Sequence, residues 1–177
     1  MTAQYFFFDT WPGYFLQALP FALLAGVICG VTRRRKEAHL GRKLAACAFA
    51  AYLAGLLCLT IGLELMNIFW YWLLYAAEPG TVIRWFGGSW NFLPELCLSA
   101  GTAGNFLLFM PFGLLYPLTR ERPAWRSSIE TGLGLIPLIE VVQPVFGRAF
   151  DINDILWNTL GVVVSTGLFF AANRVRR

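Results

Sequence analysis

The chain has 177 residues and a mass of 19.9 kDa; 58% of its residues are hydrophobic, only 14% are charged, and the mean hydropathy is +0.60. So little charge cannot clothe a water-soluble surface, which points to a membrane protein. The apolar runs are long and lack period-two alternation, which argues against a transmembrane β-barrel and leaves helices. Cys29, Cys47, Cys58 and Cys97 form no C-x-x-C pair and mostly sit in apolar runs. They read as small core residues, not as a disulfide framework or a thiolate metal site. The single histidine, His39, lies in a basic loop, so the chain has no material for a His-based zinc site or a Ser/His/Asp triad.

Crossing a hydrocarbon layer about 30 Å thick takes about 20 apolar residues, so the uncharged intervals locate the spans. Between Asp9 and Arg33 lie 23 uncharged residues, which predict a first span over 14–32. No basic region precedes it, so it is expected to remain in the membrane instead of being cleaved as a signal peptide. The 20 uncharged residues between Lys43 and Glu64 predict a second span over 44–63. The segment 65–77 is apolar but short and crowds Phe69, Trp70, Tyr71, Trp72 and Tyr75 together. That suits an interfacial helix at the outer headgroup level, ended by Glu78-Pro79-Gly80. Residues 81–91, with Gly87-Gly88, Trp85 and Trp90, read as an ordered extracytoplasmic loop or re-entrant turn.

The 24 uncharged residues between Glu95 and Arg120 predict a third span over 97–119, and the 19 between Asp154 and Arg174 predict a last one over 155–173. Segment 127–145 contains Glu130, Pro137 and Glu140, yet it has to supply the return crossing between those two. Pro137 frees the carbonyl of Leu133, which predicts a kink or a local water site. With five spans, 12 of the 14 Lys and Arg fall on one face, and only Arg84 and Arg148 lie opposite. Four or six spans would break that asymmetry. The expected fold is therefore an all-α membrane protein, one domain over 1–177, with five transmembrane helices plus a short interfacial helix, the N-terminus outside and the C-terminus cytoplasmic. The net charge of +4 follows from this asymmetry, so no nucleic-acid partner is implied. The Arg33-Arg34-Arg35-Lys36 run is a solvated anchor at an anionic leaflet.

The chemistry-bearing residues gather where the fourth span ends and the fifth begins: Glu140, Gln143, Arg148, Asp151, Asp154 and Asn158. Ionisable groups at the edge of a bilayer persist when they face a cavity, pair or act. On a helix, Asp151, Asp154 and Asn158 share one face, continued by Gly161 and Ser165. Glu140 and Gln143 stack three apart, so the two strips can meet across the intervening turn. The plain alternative for Asp151 and Asp154 is helix capping, with Arg148 neutralising one of them. Glu140 has no capping role, and a functional or buried-network role fits it better. Asn105, mid-span, is expected to bond a neighbouring helix, as glue or as a wall of the site. Pro111 and Gly113 permit a kink and close helix approach, and Glu130 is expected to pair with Arg126. Three acids against one arginine leave an excess of two negative charges if all are ionised, which protonation of one acid, Glu140 as the deepest, or a bound cation or a cationic ligand group would relieve.

Asn105, Phe109-Met110-Pro111-Phe112-Gly113-Leu114-Leu115, Ile139-Glu140-Val141-Val142-Gln143, Arg148, Asp151-Ile152-Asn153-Asp154 and Asn158-Thr159-Leu160-Gly161 together resemble the VanZ-like family of bacterial membrane proteins. The resemblance covers about 44–170. Asn91-Phe92-Leu93-Pro94 is similar to the family's Asn-x-x-Pro element, although Glu95 stands where the family usually has an aromatic residue. The resemblance implies a multi-pass protein of the bacterial cytoplasmic membrane, and a polar set of Asn91, Asn105, Glu140, Gln143, Arg148, Asp151, Asp154 and Asn158. The family's named member is associated with low-level resistance to the lipoglycopeptide teicoplanin.

The expected function is accordingly an outward-facing polar pocket that engages membrane lipid, a lipid-linked cell-wall precursor or a lipoglycopeptide, with no cofactor. One alternative is an intramembrane enzyme whose Glu140, Asp151 and Asp154 hold a divalent cation or activate water against a lipid-linked substrate, with Arg148 on its anionic group. Acyl transfer is disfavoured, because no Ser or Cys nucleophile stands beside a base. A small lipid or solute transporter is a second alternative, weakened because five spans give no even inverted repeat.

Overall fold

A computed structural model describes residues 2–33, 39–76, 89–92 and 99–175. The chain is mostly helical there: α1 (Ala3–Asp9), α2 (Trp11–Thr32), α3 (Leu40–Thr60), α4 (Leu63–Tyr75), α5 (Ala100–Leu118), α6 (Trp125–Val142) and α7 (Ile152–Val175). A 3-10 turn, Gln143–Phe146, extends α6. A short parallel bridge pairs β1 (Trp90–Asn91) with β2 (Phe150–Asp151), a feature the all-α expectation did not contain. The short α1 was also unforeseen. Thr10 separates it from α2, and its hydroxyl caps α2 by accepting from the amide of Gly13. Most of the 81–91 loop, Cys97 and much of the first basic loop lie outside the described residues.

Burial is reversed relative to a soluble protein. Val27, Val31, Leu23, Leu138 and Leu107 are exposed, whereas Gln17, Ser128, Glu140, Asn158, Ser165 and Thr166 are at most 3% exposed. Polar groups turned inward and aliphatic groups turned outward lower the free energy only where the surroundings are hydrocarbon. Four helices among the described residues, Trp11–Thr32, Leu40–Thr60, Trp125–Phe146 and Ile152–Arg174, are long and apolar enough to cross a membrane. α5 is not among them. It carries Asn105, three glycines and two prolines, because it packs against α3, α6 and above all α7, where small and polar residues allow close contact.

The contacts give the helix directions. Phe49 of α3 touches Phe112 and Tyr116 of α5, while Tyr52 donates to the Leu108 carbonyl at 3.0 Å, so α3 and α5 are antiparallel. α5 and α7 run parallel: a Cβ on Gly161 would overlap the carbonyl oxygen of Phe106, and one on Gly113 would overlap Ser165 and Thr166. α6 fills the space against both, with Gly132 against Val162 and Phe112. The core comprises Leu56, Phe109, Phe112, Tyr116, Ile136, Ile139 and Val162. A smaller cluster of Ala18, Leu59 and Met66 ties α2 and α3 to α4. α4 occupies the place of the expected interfacial helix, and the Trp70 indole N–H donates to the Gln17 carbonyl at 3.0 Å.

The starts of α2, α5 and α7 and the ends of α3 and α6 thus share one end of the bundle. The other end collects Arg33, Arg42, Lys43, Arg120, Arg126 and Arg174, and the Arg42–Glu121 ion pair joins the start of α3 to the connection between α5 and α6. Glu130 pairs with Arg126 at 2.9 Å on the exposed start of α6. Cys29, Cys47 and Cys58 are free and partly buried.

The glycine contacts give a direct test. Gly161→Ala should lower thermal stability in detergent by about 1–3 kcal/mol, because the added methyl meets rigid backbone. Gly104→Ala, where nothing lies within 4 Å, should be neutral or stabilising by up to about 1 kcal/mol. Thermal unfolding of the two variants side by side checks both.

Candidate functional site

The end of the bundle opposite the basic loops holds a set of carboxylates, each met by a carboxamide. Glu140, 1% exposed in the last turn of α6, faces Asn158 of α7, whose Nδ2 lies 3.4 Å from Glu140 Oε1. Gln143 stands in the 3-10 turn that follows. With its amide turned so that nitrogen faces acceptors, it donates to Glu140 Oε2 at 3.2 Å and to the Ala149 carbonyl at 3.1 Å. One helical turn nearer the end, Asp154 accepts from Asn105 Nδ2 of α5 at 2.6 Å. These bonds join α5, α6 and α7 where hydrocarbon would leave each group without a partner.

Asp151 differs. It is the last residue of β2, and its Oδ1 accepts from the Asn153 backbone amide at 2.9 Å and from Asn153 Nδ2 at 2.8 Å. It therefore caps α7 and does not continue the helical face of Asp154 and Asn158. Asn91 Nδ2, brought over by the β1–β2 bridge, approaches the same oxygen at 3.4 Å. Trp90 stacks on Phe150 across that bridge, and Phe92 packs against the same ring at a tilt.

Arg148 does not neutralise an acid through a direct ion pair. Its Nη1 donates to the carbonyls of Leu59 and Thr60, at 2.7 and 3.0 Å, and so closes the C-terminal end of α3. It stays close enough to Glu140 and Asp154 to act on both through space. The turn that carries Arg148 depends on Gly147, whose φ of 82° lies in the left-handed region where a side chain is strained.

All eight sequence-derived polar positions, Asn91, Asn105, Glu140, Gln143, Arg148, Asp151, Asp154 and Asn158, lie at this one end. Asn105 sits in the second turn of α5, nearer the end than mid-span. Asp151, Asp154 and Arg148 are partly exposed, whereas Glu140 and Asn158 lie beneath them. Among the described residues no three His, Cys, Asp or Glu converge as a metal-ligand set. Two participants escaped the sequence reading. Asn153 is 6% exposed and donates to Asp151 through both its nitrogens. Gln17, fully buried in α2, donates to the Phe7 carbonyl at 2.6 Å and so pins α1. Its signal was available: an amide inside an apolar run, the same feature that singled out Asn105.

A bundle with an aliphatic exterior, a buried acid–amide network at one end and basic loops at the other is a multi-pass helical membrane protein. Within that class, the profile of the VanZ/LLP1 family matches residues 49–173, and the chain belongs to this family. The match spans α3 to α7 and includes every residue of the network. No curated protein and no solved structure matches the chain.

Two substitutions separate the capping and network roles. Asn105→Leu removes the donor at 2.6 Å from the partly exposed Asp154 and should cost about 1–3 kcal/mol in detergent, the range for losing a hydrogen bond to a charged group. Asp151→Asn keeps an oxygen that can accept from the Asn153 amide and should cost less than about 1 kcal/mol. Equal thermal shifts for the two would contradict the assignment.

Proposed function

We propose that this protein is a five-span protein of the bacterial cytoplasmic membrane, N-terminus outside and C-terminus inside, with α5 as the fifth crossing. Its acid–amide end is an outward-facing polar site that engages a lipid-linked envelope component or a lipoglycopeptide, and through it the protein contributes to teicoplanin tolerance or envelope homeostasis. The observation that carries this reading is the arrangement around Glu140: a carboxyl 1% exposed, held by Asn158 and Gln143, beneath partly exposed Asp154 and Arg148. Burying a carboxyl at the edge of a membrane is expensive, and capping does not require it. A substrate with an apolar tail and a polar head presents both chemistries at that depth. The alternation of helix directions and the basic end support the orientation, since Lys and Arg collect on the cytoplasmic side.

Binding without turnover is the reading we favour over an intramembrane enzyme, because the carboxylates at this end, Glu140, Asp151 and Asp154, are engaged by amides. In cells that depend on this protein for teicoplanin tolerance, Glu140→Gln and Asp154→Asn should each remove tolerance while the protein still inserts, whereas Asp151→Asn should retain it. Full tolerance from the Glu140→Gln, Asp154→Asn double variant would overturn the site. For orientation, a cysteine replacing Asp9 on a cysteine-free background should react with a membrane-impermeant maleimide in intact cells, and one replacing Arg122 should not. The reverse pattern would invert the topology.

A further inference from the structure

At the acid–amide end the side-chain partners of the three acids are neutral amides, and none of the acids is in a direct ion pair among the described residues. Asp154 is met by the neutral Asn105, Glu140 by the neutral Asn158 and Gln143, and Asp151 by the neutral Asn153 and Asn91. Arg148, the cation among them, spends Nη1 on the backbone carbonyls of Leu59 and Thr60. Its Nη2 and Nε make no hydrogen bond among the described residues, and its side chain is partly exposed. A second, independent feature lies deeper. Asn158 is 3% exposed and its Nδ2 points at Glu140, yet its Oδ1 is buried with no donor. A buried acceptor without a donor is a rare condition that calls for a partner. Asp154 lies one helical turn above Asn158 on the same face of α7, so the open acceptor sits below a carboxylate that is itself partly exposed.

These features define the missing partner by chemistry. It must carry positive charge, to offset three acids that one arginine does not pair with. It must donate hydrogen bonds, because Asn158 Oδ1 lacks a donor. A metal ion fits poorly, since among the described residues no three ligating side chains converge. A primary ammonium supplies both the charge and three N–H donors. The free edge of Arg148, on the turn that leads into α7, suits an anionic oxygen group such as a phosphate. Resting on the proposed lipid-engaging site, we infer that its ligand is an aminoalkyl phosphate headgroup, the ammonium on the Asp154–Glu140–Asn158 side and the phosphate on Arg148. The same headgroup chemistry occurs in a lipid and in a soluble phosphate ester. The site's position at the edge of an aliphatic bundle favours the lipid.

Native mass spectrometry of the full chain in detergent tests this. Equal amounts of phosphatidylethanolamine, phosphatidylcholine and phosphatidylglycerol with identical acyl chains are added. Phosphatidylethanolamine should be retained about tenfold over the other two, the factor expected from one charge-assisted hydrogen bond that neither a trimethylammonium nor a glycerol reproduces. The preference should vanish in Asp154→Asn and in Glu140→Gln, and should persist in Glu130→Gln at the opposite end. If all three lipids are retained equally by the wild type and lost from both variants, the ammonium assignment falls while the lipid site stands. If retention is the same in the wild type and both variants, the lipid site falls as well. Displacement of the lipid by an equal concentration of O-phosphoethanolamine would overturn the lipid as the ligand in favour of the soluble ester.

Discussion

Hydrocarbon offers no hydrogen bonds, so every polar group in this bundle has to find a partner on another helix or at a helix end. That constraint governs the arrangement of α5, α6 and α7. Asn105 reaches Asp154, Asn158 reaches Glu140, and Gln143 folds back on the same carboxyl. Each bond is of modest net strength, because unfolded helices in a membrane also find partners. Their effect is on register. Sliding α7 past α5 by one turn would strand an acid and an amide together, so the polar end selects one packing among several that aliphatic contact alone would tolerate.

The same packing depends on the absence of side chains. α5 and α7 lie side by side because Gly161 meets the Phe106 carbonyl and Gly113 meets Ser165 and Thr166, with no room for a Cβ at either place. Close backbones bring the two short amide–acid side chains at the end of the helices within reach of each other. Small residues in the middle and polar residues at the end therefore act together: the first sets the separation, the second the register. The prolines of α5 and α6 are absorbed within this frame, since both helices continue through Pro111 and Pro137.

At the polar end the backbone itself supplies part of the scaffold. The β1–β2 bridge carries Asn91 to Asp151, and Gly147 in the left-handed region turns Arg148 toward the last carbonyls of α3. Arg148 therefore anchors α3 to the connection between α6 and α7, and its charge acts on Glu140 and Asp154 from a distance. Their geometry shows that the acids are not joined to Arg148 in direct ion pairs.

Much of this was legible in the sequence, because a bilayer imposes rules that need no tertiary information. Uncharged intervals located four of the long helices to within a few residues at most ends, the need for a return crossing located α6, and Glu140, Gln143, Asn158 and Asn105 stood out as polar groups within apolar runs. Helical periodicity put Glu140 and Asn158 on faces that meet. Periodicity also misled for Asp151, which spacing placed on the helical face. Its backbone is extended, and it caps the helix that begins one residue later. The partner of Arg148 was decided only by the fold, since the carbonyls of Leu59 and Thr60 are nearly ninety residues away and carry no side-chain signature. Local pattern and solvent determine where a chain is helical and which groups cannot face lipid; which of those groups meet depends on how closely the backbones approach, and that is a property of the assembled bundle.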